Sequence, residues 1–305
     1  MTWFWLSIVA LLCWSGSDLF SKIGCRDADD KHAHLKMTTA VGVVMGLHAA
    51  YEIFVNGVAI SWHVIWLYLP VSILYILSMA LGYVGLRYIE LSVSSPICNS
   101  SGALVALASI LFMGGGAEMV PMQFVAVGLA CVGVVALGVV EAREDPELRA
   151  ARQEASNYKY AKSWIAIALP LAYCVLDAAG TFSDNIVIKK IGSEASANVA
   201  YELTFLFAGI CCFIYTFFIK KEKPVAKREV PKYVGALFET AGQFAYIFAI
   251  SDETHLAMSA PIIASYCAVS VLWSRLFLKE RLSWKHYVAI AVTVAGIVLM
   301  GVFDM

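Results

Sequence analysis

The chain has 305 residues, 60% of them apolar and 15% charged, with 22 basic against 23 acidic side chains and a mean hydropathy of +0.75. A soluble domain carries about 45–50% apolar and about 25% charged residues. The composition therefore belongs to a bilayer, and it excludes a disordered chain, a coiled coil, a collagen-like chain and a nucleic-acid binder steered by surplus positive charge.

At about 20 residues per crossing, the length has room for roughly ten spans with short loops. Apolar stretches predict the first five at Thr2 to Lys22, Leu35 to Asn56, Val64 to Leu86, Val93 to Phe112 and Met122 to Val140. A second series is predicted at Trp164 to Ile188, Val199 to Ile219, Lys232 to Ile250, Leu256 to Leu278 and Trp284 to Phe303. The runs are continuous, without the period of two that a membrane barrel needs. No Lys or Arg precedes Trp3 and the first run is long for a signal peptide, so it reads as a retained helix. Trp3, Trp5, Trp62, Trp66, Trp164, Trp284 and Tyr287 fall near span ends and suit interfacial anchoring.

Basic residues sort by connection. Those after spans one, three, five, seven and nine hold 20 of the 22, leaving Lys189 and Lys190 after span six. The positive-inside rule makes the odd connections cytoplasmic and puts both termini outside a cell membrane. The longest connection, 141–163, reads as a charged cytoplasmic linker, with Asp145-Pro146-Glu147 as a helix-start signal inside it.

Placing Pro96 on Pro261 aligns Leu91-Ser92-Val93-Ser94-Ser95-Pro96-Ile97 with Leu256-Ala257-Met258-Ser259-Ala260-Pro261-Ile262. After a two-residue slip, the run from Gly133 to Val139 matches Gly296 to Val302. Two copies of a five-span unit follow, 1–140 and 164–305. Five is odd, so the second copy enters the membrane inverted. The expected fold is all-α and polytopic, ten transmembrane helices in two inverted five-helix repeats, an architecture that places a transport site near the midplane between the repeats.

The run from Phe277 through Lys279-Glu280-Arg281 to Tyr287, followed by Ala295 to Gly301, resembles the end of an EamA-type repeat of the drug/metabolite transporter superfamily. The first copy keeps Phe112 and the Gly133 to Gly138 part but replaces the charged turn by Gly114-Gly115-Gly116. The resemblance implies a ten-helix bundle that moves a small metabolite. It also implies cytoplasmic termini, whereas the count of basic residues reverses them.

Ionisable groups inside a bilayer tend to face a cavity. Asp177 and Glu239 lie deep in their spans, and are the first candidates for substrate binding or coupling. Asp18 and Asp184 sit closer to span ends in an echoed Ser-Asp pair, where a structural and a functional role are both open; Asp18 could pair with Lys22, four residues on. Glu52 and Glu202 are expected to snorkel to the headgroups. Tyr173, Tyr246 and Tyr266, with Phe182, Tyr201 and Phe244, could add cation–π contact to a cationic or zwitterionic cargo, or simply pack. The middle thirds of the spans hold no Lys or Arg, which disfavours phosphorylated cargo. Pro96 and Pro261 are candidate hinges or static kinks. The Gly42/Gly46 pair and the Gly128, Gly133, Gly138 series suit close helix contact.

The eight cysteines have no metal spacing, and no catalytic constellation or phosphate loop occurs. The expectation is a secondary transporter of small organic metabolites or drugs, not an enzyme, with no cofactor or metal and no nucleic-acid partner. Its partners would be a small-molecule substrate, a proton gradient and the lipid bilayer, with a homodimer left open. The rival class is a membrane receptor or assembly factor of the same fold.

Overall fold

A computed structural model describes residues 2–304 apart from 28, 90, 115, 118, 143–164, 253 and 281. The linker expected at 141–163 falls almost wholly outside the described residues, as does Trp164. The first half comprises α1 (Thr2–Cys25), α2 (Ala33–Phe54), α3 (Trp62–Tyr88), α4 (Leu91–Asn99), α5 (Ser101–Phe112) and α6 (Pro121–Ala142). The second comprises α7 (Ile165–Ile191), α8 (Glu194–Phe213), α9 (Ala226–Ile250), α10 (Leu256–Ala264), α11 (Tyr266–Phe277) and α12 (Trp284–Phe303). A π-helical turn, Ile214–Ile219, carries α8 onward.

Serine starts several helices where orphan N–H groups need acceptors. Ser61 Oγ accepts from Val64 N at 3.4 Å, and Ser193 Oγ from Ser196 N at 3.2 Å. Ser283 and His286 satisfy each other's backbone N–H in a reciprocal cap on α12. Gly192, with φ of +72°, turns the chain after α7 in a conformation that costs other residues more.

Among the described residues, nine spans are long and apolar enough to cross a membrane. The tenth is α9, whose first two turns carry Lys227, Arg228, Glu229 and Lys232 before an apolar run begins at Tyr233. Two spans are broken. α4 gives way to α5 at Ser100, and α10 to α11 at Ser265, each four residues past Pro96 or Pro261. A proline removes one ladder donor, and the serine hydroxyl then turns back onto the proline carbonyl: Ser100 Oγ at 3.0 Å, Ser265 Oγ at 2.6 Å.

Helix pairing follows the repeat. α1 lies along α9 and α3 along α7; α2 pairs with α8, α5 with α10, and α6 with α12. Exchanging the halves carries α1–α9 onto α7–α3 and α5–α10 onto α11–α4, which also pack together, while α2–α8 and α6–α12 map onto themselves, as an inverted repeat requires. The seams agree in detail. A Cβ on Gly42 would stand 2.8 Å from the Phe205 carbonyl, and one on Gly209 would stand 3.3 Å from that of Thr38. Likewise a Cβ on Gly133 would meet Thr293 Oγ1 at 2.2 Å, and one on Gly296 would meet Ala130 N at 2.5 Å. In both seams, each glycine faces the residue the same number of positions ahead of its counterpart. Gly46 abuts Leu206, but Gly128 faces open space and Gly138 is in ordinary contact only.

Trp5, Trp62, Trp66, Trp284 and Tyr287 are exposed around the bundle as expected. Trp3 is not. It is buried, stacked on His255 at 4.8 Å and donating to Asp304 at 3.0 Å, because α1 starts against the end of α12 and the α9–α10 loop.

Candidate functional site

Between the halves, at the level of both span breaks, lies a cavity with about 960 Å³ of empty space, the part open at its mouth included. Four helices turn one face each toward it at helical spacing. α1 gives Trp14, Ser17, Asp18 and Ser21; α3 gives Tyr75, Met79, Tyr83 and Leu86; α7 gives Tyr173, Asp177 and Thr181; α9 gives Glu239, Gln243 and Tyr246. The broken spans add Ser95, Asn99, Ser101, Ala260 and Tyr266.

The carboxylates of Asp18, Asp177 and Glu239 all open into this space, each held by hydroxyls from another helix. Asp18 accepts from Ser95 at 2.6 Å and Ser270 at 2.8 Å, Asp177 from Ser101 at 2.7 Å, and Glu239 from Ser17 at 2.8 Å. Among the described residues lining the cavity there is no Lys, Arg or His. Each carboxylate costs roughly 3 kcal/mol to place at the middle of a span, and one or two hydroxyls offset only part of that. Aromatic rings complete the wall. Trp14 lies 5.0 Å from Tyr246 and edge-on to Tyr266 at 5.8 Å, and Tyr173 packs over Gly82.

Asp184 lies elsewhere. It is fully buried behind the lining, where Tyr68 donates to it at 2.6 Å and Tyr75 at 3.4 Å. The echo of Ser17-Asp18 in Ser183-Asp184 thus leads to two different surroundings. Asp18 turns into the cavity, and Lys22 donates instead to the Leu86 and Ile89 carbonyls, both at 2.6 Å.

Glu52 and Glu202 do not snorkel. Glu202 is fully buried and Glu52 is 7% exposed. They flank His48 across the α2–α8 seam, at 2.8 Å for Glu202 and 3.6 Å for Glu52, with Asn198 and Asn56 donating to them at 3.0 Å. A buried carboxylate is tolerated when it is paired, and His48 sits one turn before Glu52 and on the helix facing Glu202. Phe244 packs on His48, so it and Phe182 stand outside the cavity lining.

The end of the cavity nearest the basic connections is shut by a charged knot. Asp30, in the α1–α2 loop, accepts from Lys36 at 2.6 Å and from Lys232 at 2.9 Å, and its carbonyl accepts from Arg87. Lys36 also reaches Glu222 at 2.8 Å, which meets His32. Burial pushes the Asp30 carboxyl up, but the two lysines outweigh it and hold it below the usual carboxylate range. Glu222 is lowered in the same way, burial being outweighed by Lys36 and His32. At the opposite end Asn185 Nδ2 donates to the Ile250 carbonyl at 2.6 Å, and His255 joins Asp252 at 2.7 Å to Asp304 at 3.3 Å. Among the described residues no cluster of His, Cys, Asp or Glu could hold a metal ion.

The sequence pattern did not point to the serines that hold the carboxylates, nor to Tyr75, Trp14 and Gln243. A signal existed for the serines: Ser92, Ser94, Ser95, Asn99, Ser100 and Ser101 crowd a span that is otherwise apolar.

Paired helical halves around a polar midplane cavity define a polytopic membrane protein of inverted-repeat architecture. Residues 168–302, nearly all of the second half, match the EamA-like transporter family, which belongs to the drug/metabolite transporter superfamily. A solved structure titled only "Crystal structure of protein" shares the fold, with a TM-score of 0.63 at 15% identity over 97% of this chain and 95% of that one. No curated protein matches the sequence.

Proposed function

We propose that the chain is a secondary transporter that carries small organic cations or zwitterions across the cell membrane by alternating access between its two repeats. It is not an enzyme in this reading. The observation that carries it is a cavity between the halves with three carboxylates, a wall of tyrosine and tryptophan and no cationic side chain among the described lining residues. A site with formal charge of that sign attracts an ammonium group, and the rings add cation–π contact. Asp18, Asp177 and Glu239 bind the cargo, with Tyr173, Tyr246 and Tyr266 around it. Pro96 and Pro261 act as hinges where the broken spans cross. The repeats 1–140 and 164–305 are joined by a cytoplasmic linker, and both termini face outside, because the basic residues cluster on the odd connections.

Thermal-shift screening of purified protein against amines, amino acids, polyamines and nucleosides tests the binding, since a bound ligand raises stability by mass action. Counterflow of any stabilising compound in proteoliposomes tests the transport. Asp177→Asn is expected to abolish coupled uptake while the protein still folds. Full uptake in that variant removes Asp177 from the mechanism, and binding without counterflow by the wild type favours a receptor.

A further inference from the structure

Four carboxylates stand in the middle of this bundle, and they are not alike. Asp18, Asp177 and Glu239 are partly open to the cavity, whereas Asp184 is fully buried and no lining residue. A cargo molecule in the cavity can touch the first three and not the fourth.

Asp184 is nevertheless connected to that space. Tyr75, Thr181 and Tyr246 line the cavity, and their hydroxyls form a closed triangle: Tyr75 to Thr181 at 3.1 Å, Tyr246 to Thr181 at 3.0 Å, and Tyr75 in contact with Tyr246. Tyr75 also reaches Asp184 Oδ2, and Tyr68 closes Oδ1 from the far side. The groups that face Asp184 from the surrounding helices are Tyr68 and Tyr75 on α3, Tyr201 on α8 and Tyr246 on α9, with Asp177 two turns back on α7. All are neutral or acidic. An ionised carboxylate so placed has hydroxyl donors but no counter-charge, and adding one proton makes it a neutral acid without moving a helix.

We infer that Asp184 is the proton-holding carboxylate of this transporter, separate from the cargo site and reached from it through the Tyr75, Thr181 and Tyr246 hydroxyls. The inference rests on the transport reading above. A proton arriving at the cavity face of the Tyr75 hydroxyl displaces that hydroxyl's own proton onto Asp184 Oδ2. The tyrosine is left with one proton as before, and the carboxylate becomes a carboxylic acid. Release runs the same steps backwards. Proton and cargo are thereby bound at different residues, so losing one need not lose the other.

The test uses the full chain in proteoliposomes with radiolabelled phenethylamine as probe. Counterflow without a gradient reads cargo movement, and accumulation driven by a pH gradient reads coupling. Asp184→Asn is expected to keep counterflow close to that of wild type and to lose gradient-driven accumulation. Asp184→Glu restores accumulation, and Tyr75→Phe slows it. Asp184→Asn accumulating like wild type, or losing counterflow while unfolding at the wild-type temperature, overturns the inference. A wild type with no counterflow of the probe counts against the cargo reading instead. In that case infrared difference spectra between acid and alkaline pH still decide: a protonated-carboxyl band present in wild type and missing in Asp184→Asn supports the assignment, and identical spectra overturn it.

Discussion

Asp30 shows how much one side chain can hold in this bundle. Its carboxylate is buried and takes hydrogen bonds from lysines on α2 and α9, and Lys232 is itself fully buried. Removing one partner of a buried pair leaves the other charge uncompensated, at a cost of about 3–5 kcal/mol. Asp30→Asn should sit at the low end of that range, since Lys36 keeps Glu222 and Lys232 keeps Glu229 at 3.4 Å. The pH dependence follows from the lowered carboxyl. Because the folded protein binds that proton less readily than the unfolded chain, the stabilisation is fully present above the unfolded value of about 4 and is lost as pH falls through the folded one. Thermal unfolding in detergent should therefore show a wider gap between wild type and Asp30→Asn at pH 7 than at pH 3; an equal gap at both would mean the ion pair does not stabilise the fold. Little of this could be read from the sequence, where Asp30 is one charge among several in a loop, and of its two partners Lys36 is six positions on but Lys232 lies 202 positions away. Asp177 and Glu239 were legible, since an acid isolated deep in an apolar run needs a cavity or a partner to offset its burial. Glu52 and Glu202 read instead as snorkelling acids, and what overturns that for Glu202 is His48 on a neighbouring helix, a placement the sequence does not give.

The broken spans are where sequence and structure meet most closely at the scale of elements. The prolines were visible and so was their equivalence, but each break falls one turn later, at a serine that caps the proline carbonyl. A span drawn as one apolar run from Val93 or Leu256 therefore hides two helices. The breaks cross each other: a Cβ on Gly102 of α5 would meet Ala264 of α10 at 2.3 Å and the Ala260 carbonyl at 2.9 Å. Bending one broken span thus displaces the other, along with the Ser95, Ser101 and Tyr266 side chains that line the cavity. Replacing proline by alanine restores a ladder N–H and favours a straight helix, in line with the several-kcal/mol penalty of an interior proline. Pro96→Ala and Pro261→Ala are expected to keep thermal-shift binding and to slow counterflow roughly tenfold, equivalent to about 1.4 kcal/mol on the rate-limiting step. Unchanged counterflow in both variants would make the prolines fixed kinks that shape the cavity.

For the molecule as a whole, the exchange of halves links the two ends of the cavity. At the basic end Lys22 of α1 clamps the last carbonyls of α3, at Leu86 and Ile89. At the other end Asn185 of α7 clamps the last carbonyl of α9, at Ile250. These are counterparts, because α1 corresponds to α7 and α3 to α9, but one clamp is a cation at the end that the charged knot closes and the other a neutral amide. Buried ion pairs resist the loss of one member more than amides do, so the basic end should be the firmer gate. Two positions report on it: Ser21 and Leu86 line the cavity just beyond the knot and are themselves 1% and 6% exposed. In a background with the eight native cysteines replaced, Ser21→Cys and Leu86→Cys should react slowly with an impermeant maleimide supplied from the side that bears the basic connections. Adding Lys232→Met, which takes one lysine from Asp30, should raise both labelling rates about tenfold, the change expected from roughly 1.4 kcal/mol of lost closure. Labelling from the opposite side should fall as the population moves away from it, since a fixed ensemble is shared between two states. Rates that rise from both sides together would indicate local unfolding, and rates that do not change would place the gate somewhere other than the Asp30 knot.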